Sequence, residues 1–166
     1  MSRTNKYRKN TPIYADKGRK KRVEFYGRYA DLLWFEHCLA NNYKYEPLAD
    51  DRLSTRDACK QPDCLTSGIP TELKMWNGWE TGEFPSHLPM QVQSGSLWMR
   101  NEYEVGAYVL MNMDGTHAIS VTFDIEPDRI VETRSLSHAS GKTQAAQYSL
   151  NKCNQFTLAK INKELN

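Results

Sequence analysis

The chain has no apolar run approaching the eighteen residues that a membrane-spanning helix requires. Its first twenty residues are basic and carry no apolar core, which leaves no room there for a secretory signal and sets the expectation of a protein that works inside a cell, in the cytoplasm or a nucleus. Cysteine is scarce: Cys38, Cys59, Cys64 and Cys153 in a chain without an export signal are expected to be free thiols rather than a disulfide framework. Internal repeats and low-complexity tracts are missing, which excludes a solenoid. Acid is nearly missing from the first 22 residues, where Asp16 stands alone against Arg3, Lys6, Arg8, Lys9, Lys17, Arg19, Lys20, Lys21 and Arg22.

That last scarcity splits a net charge of +2 into a basic segment of +8 and a remainder of −6. Residues 1–22 have no periodic apolar pattern, are broken by Pro12 and Gly18, and offer only Tyr7, Ile13 and Tyr14 for burial, so they are expected to form a flexible arm. Residues 23–166 are long enough for a single domain with a core and too short for two comfortable ones. Apolar residues are 39% of the chain and aromatics 11%, so burial must lean on the tryptophans, tyrosines and phenylalanines.

The clearest pattern runs from Tyr103 to Ile125, where two alternating segments flank Met113-Asp114-Gly115 and read as a β-hairpin. Loop length sets register. A two-residue Asp114-Gly115 loop would oppose valines to serines and threonines, whereas a three-residue loop with Gly115 in the left-handed conformation pairs Val109 with Ile119 and Val105 with Phe123. The second register is expected, because it gathers the apolar residues on one face. It also collects Glu102, Glu104, Asp124 and Glu126 at one end of the other face.

An apolar helix is expected from Phe25 to Leu39, buried around more than half its circumference with Arg28, Asp31 and Glu36 toward water, and stopped by Asn41-Asn42. Tyr43 to Pro89 is a long Pro/Gly/Trp-containing connection with helical signals from Ser54 and over Thr71–Trp76, pinned to the core by Trp76, Trp79 and Phe84. Strands are expected over Leu88–Val92 and Ile130–Leu136, and a helix over Lys142–Leu165, with Ala146, Leu150, Cys153 and Ile161 on its inner stripe. The expected fold class is α+β: an antiparallel meander sheet of three to four strands with an N-terminal and a C-terminal helix packed on it.

Several motifs suggest chemistry. Val121–Glu126 resembles the first Asp-x-Glu motif of the DEDD exonucleases, but the forty residues that follow, with Asp128, Glu132 and Glu164, do not supply that family's later acidic motifs. Ser140-Gly141-Lys142-Thr143 resembles the end of a P-loop, yet Leu136 stands where the first glycine is required, which leaves an ordinary helix cap. Cys59 and Cys64 with His37 or Cys38 make a poor zinc set, because neighbours on a helix point apart. His37, His87, His117 and His138 are scattered, with no nucleophile placed beside one by spacing. The carboxylate quartet Glu102, Glu104, Asp124 and Glu126 needs neutralising by Arg100, Arg129 or Arg134, by the arm, or by a divalent metal; exposure to solvent and local arginines suffice.

The functional expectation is a non-enzymatic binding protein without cofactor. Its basic arm, Arg3, Lys6, Tyr7, Arg8, Lys9, Lys17, Arg19, Lys20, Lys21 and Arg22, would engage nucleic acid or an acidic protein surface, and no membrane is involved. Size and arm suit a small viral or phage accessory protein. The alternatives are a metal-dependent phosphodiesterase or nuclease built on the quartet, with Lys142 or Arg100 on the phosphate, and a structural assembly subunit.

Overall fold

The computed structural model describes residues 17–48, 62–93, 106–134 and 142–160. Along the chain these form α1 (Lys17–Ala40), β1 (Tyr45–Pro47), β2 (Cys64–Thr66), β3 (Ile69–Met75), β4 (Met90–Gln93), β5 (Ala107–Met111), β6 (His117–Thr122), β7 (Arg129–Arg134), β8 (Lys142–Tyr148) and β9 (Asn154–Thr157). Six strands make one mixed sheet in the order β1-β2-β3-β5-β6-β9, and three make a second, β4-β8-β7. Strands β3 and β5 run parallel, and the connection between them passes out through β4 in the second sheet. The described chain is therefore mostly β, with one helix and nine strands, and the expected three-to-four-strand meander carrying two terminal helices is wrong.

The architecture has three layers. Between the sheets lie Trp79, Phe84, Met90, Val92, Tyr108, Leu110, Ile119, Val121, Ala146 and Tyr148; under α1, on the other face of the large sheet, lie Ala30, Leu33, Trp34, Cys38, Cys64, Leu73, Val109, Met111 and Ala118. Strand β5 thus contributes alternate residues to two cores. This overturns the expected register: Val109 lies opposite Ser120, Leu110 opposite Ile119 and Tyr108 opposite Val121. Gathering apolar residues on one face was the wrong criterion, because both faces are covered and each needs its own apolar set. The loop is wider than either alternative considered, with Met113–Thr116 between Asn112 and His117, whose backbones pair through Asn112 N–H and His117 C=O at 3.0 Å. Gly115 does have positive φ, at 71°.

The expected helix over Lys142–Leu165 is instead β8, a short 3₁₀ turn at Leu150–Lys152, and β9. Lys-Thr-Gln-Ala-Ala-Gln-Tyr has helical propensity, but as the middle strand of the second sheet it is paired on both edges, and Ala145, Ala146 and Tyr148 are fully buried. Thr71–Met75, also expected to be helical, belongs to β3. The chain enters that strand through a two-residue turn, Ser67-Gly68, with φ of 48° and 84°, the geometry of a type I′ hairpin.

Helix α1 is longer than expected and takes in Lys17–Arg22. It stops where the asparagines suggested. Asn42 sits at φ 59°, Tyr43 N–H donates to Cys38 C=O at 2.9 Å and Asn42 N–H to Leu39 C=O at 3.4 Å, a Schellman closure. Only one stripe of the helix faces the sheet. Leu32, Phe35 and Leu39 are 53, 39 and 48% exposed, so the expectation of burial around most of the circumference fails.

Candidate functional site

Three features of the described chain can carry chemistry: the start of α1, the tip of the β5–β6 hairpin, and a cleft beside β3. The first is a matter of backbone. Of the expected binding residues, Lys17, Arg19, Lys20, Lys21 and Arg22 fall on the opening turns of α1, while Arg3, Lys6, Tyr7, Arg8 and Lys9 lie outside the described residues. Five of the first six helical positions are cationic, and the first turn holds no acid. The described side chains of α1 that pack on the core beneath it run from Tyr29 to Cys38.

The hairpin tip is tied by hydrogen bonds. The buried Asn112 accepts from Thr116 N–H at 2.9 Å and His117 N–H at 3.0 Å, and its amide donates to Thr116 Oγ1 at 3.0 Å. Asp114 accepts from Thr116 Oγ1 and Thr81 Oγ1, both at 2.6 Å, and those bonds hold its carboxyl below the ordinary range. Because the single hydroxyl proton of Thr116 goes to Asp114, the 2.8 Å contact with His117 Nδ1 is a bond donated by the imidazole. His117 also lines a hollow with Trp79, Glu83, Phe84, Gln155, Phe156 and Thr157. The hydrogen bonds of Asn112 and Asp114 fix the tip.

The cleft holds about 350 Å³ and is bounded by Lys74, Trp76, Phe84, Leu88, Tyr108 and Leu110. Parallel pairing sets Glu72 level with Tyr108 and Lys74 level with Leu110, which brings a carboxyl and an ammonium onto the inter-sheet face. They pair at 3.2 Å. Burial, then Asp63, pushes the Glu72 carboxyl up to about 7, against the pull of Lys74. Burial works to lower the lysine, but Glu72, Tyr108 and Asp63 together offset it and the ammonium is held above its ordinary value. On the helix side, burial and then Asp63 raise Asp31 to about 6. Asp63 is itself raised by burial, although its carboxylate accepts Leu73 N–H at 2.7 Å. The sequence reading missed this charged group, because it took Thr71–Trp76 as helical; the Ser67-Gly68 dipeptide was the available sign of a hairpin.

Only Asp124 and Glu126 of the expected quartet lie among the described residues. β6 ends at Thr122, Asp124 lies in the turn that follows, Glu126 lies beyond it, and both are exposed; Glu102 and Glu104 lie outside the described residues. Among the described residues no group of three or more His, Cys, Asp or Glu could hold a metal. Cys38 and Cys64 are buried thiols in the core under α1, and burial raises both, Cys38 to about 11 and Cys64 to about 12. Cys59, the remaining cysteine of the weighed zinc set, is outside the described residues, as are Arg100 and His138. Lys142 and Thr143 belong to β8, so the P-loop-like tetrapeptide caps no helix there. Trp79 and Phe84 are buried as expected, with Trp79 Nε1–H donating to Gly82 C=O at 2.9 Å, and Trp76 packs against them. No helix among the described residues is long and apolar enough to cross a membrane. The chain matches no family model, no curated protein and no solved structure.

Proposed function

We propose that this is a non-enzymatic accessory protein that holds nucleic acid through the basic residues at the start of α1 and the segment before it. The observation that carries the reading is the run of five Lys or Arg in the first six positions of α1 with no acid in the first turn. Cations at a helix N-terminus oppose its dipole at a cost of roughly 0.3–1 kcal/mol each, and the first N–H groups of a helix have no partner within it. A phosphate backbone relieves both. Upstream, Arg3, Lys6, Arg8 and Lys9 extend the positive charge, and Tyr7 adds a plane for stacking. The remaining 144 residues carry −6, so the rest of the chain repels a polyanion and leaves attachment to this end.

The test compares the full chain with a variant carrying Lys17→Gln, Arg19→Gln, Lys20→Gln, Lys21→Gln and Arg22→Gln, since glutamine keeps helix propensity while removing charge. Fluorescence anisotropy of short labelled single-stranded and duplex DNA at about 50 mM salt should show binding by the full chain and at least about tenfold weaker binding by the variant. Equal affinity of the two proteins overturns the proposal. So does capture of polyglutamate with no binding of either nucleic acid, which would identify an acidic protein surface as the partner.

A further inference from the structure

The cleft beside β3 has features that core packing does not require. Its volume of about 350 Å³ falls in the range of small-molecule sites, which run from about 300 to 1,000 Å³. One wall is held rigidly. Gly78 is exposed and does not need positive φ, yet a Cβ there would sit 2.7 Å from Cε2 and Cζ2 of Trp76, so the glycine lets the indole lie directly on the backbone. Trp76 is also packed near Phe84, with ring centroids 6.0 Å apart, and is only half-buried, which leaves aromatic surface toward the cleft. Tyr108 and Leu110 of the rigid central strand close the floor.

Among the described residues lining the cleft, Lys74 is the one cation. Lys74 is half exposed, at 50% of its side-chain area, whereas its partner Glu72 is only 16% exposed and does not line the cleft. An ammonium has three donors, and the bond to Glu72 uses one. Burying an apolar body while leaving a charge at the rim is how such a site orients a ligand.

We propose that this cleft binds a small amphiphilic anion, a ring-bearing molecule with a carboxylate or sulfonate, its apolar body against Trp76, Phe84 and Leu110 and its anionic group on Lys74 Nζ. The site is separate from the basic start of α1 and does not depend on nucleic-acid binding.

Two dyes that differ by one charge test this on the full chain: 1-anilinonaphthalene-8-sulfonate and its neutral analogue N-phenyl-1-naphthylamine, each followed by its own emission. The wild type should bind the sulfonate at least about tenfold more tightly than the neutral dye. Lys74→Met, which keeps the stem and removes the charge, should erase that preference while leaving affinity for the neutral dye unchanged. Glu72→Gln, which releases Lys74 from its partner, should tighten sulfonate binding severalfold. Gly78→Ala, which displaces the Trp76 wall, should weaken both dyes. Equal sulfonate affinity in wild type and Lys74→Met overturns the proposal, because the dye would then sit elsewhere, as on the exposed Leu32, Phe35 and Leu39 stripe; the absence of any emission increase with the wild type overturns it as well.

Discussion

His37 shows how much a single side chain settles in this fold. It lies on the buried face of α1, stacked on Trp34 at 5.1 Å and near Phe156 at 5.0 Å, and its Nδ1 accepts the Ala159 N–H at 3.0 Å. That bond requires Nδ1 to be unprotonated, and burial lowers the imidazole below its ordinary 6.5. The folded state therefore takes up its proton at lower pH than the unfolded chain. The contribution of His37 is fully present above pH 6.5 and is lost as pH falls below that value toward the folded pKa. Urea unfolding from pH 8 to pH 5 should show the advantage of wild type over His37→Gln to be largest above pH 6.5 and to shrink on acidification. An advantage that stays constant over that range would mean the imidazole is not the titrating group. Sequence position alone said nothing of this role, because the partner of His37 is a backbone amide 122 residues away.

Among the elements, the β5–β6 hairpin carries the most consequence. Its tip abuts α1: a Cβ on Gly115 would come within 2.7 Å of Tyr29 Oη and about 3.0 Å of Leu33 Cδ2, and φ is 71°. Gly115→Val meets both a forbidden conformation and a clash with the helix, and should cost roughly 2 kcal/mol or more. For a chain of this size a thermal melt should register that as a fall of about 4–8 °C. A melting temperature within a degree of wild type would contradict the close approach. The hairpin was legible in its alternation and its Asp-Gly turn, but its register was not, because alternation reports a buried face only when the other face is wet. With α1 on one side and the second sheet on the other, Val109 and Tyr108 are equally buried and the pattern loses its discriminating power. The same cause hid β8, whose alanines read as helix until two partner strands are known. Short, local signals fared better: Asn42 ends α1 as expected, and Trp79 and Phe84 pin the long connection.

At the scale of the molecule, charge is divided along the chain, and part of its basic share falls on the opening turns of α1. Among the described residues, Trp34, Trp79, Phe84, Tyr108, Phe123 and Tyr148 are buried in the two cores, Trp76 lines the cleft, and Leu32, Phe35 and Leu39 form an exposed apolar stripe on the helix. Attachment through charge at one end predicts a specific salt law, because each phosphate that is neutralised releases counterions. The decisive measurement is the salt dependence of nucleic-acid affinity for the full chain and for the variant with glutamine at positions 17 and 19 to 22. If roughly four of the nine basic residues meet phosphates, log affinity of the full chain falls with log salt at a slope of about −3 to −4, and the variant's slope is markedly flatter. A variant that retains the full slope would contradict the account, since the charge holding the polyanion would then lie elsewhere on the chain.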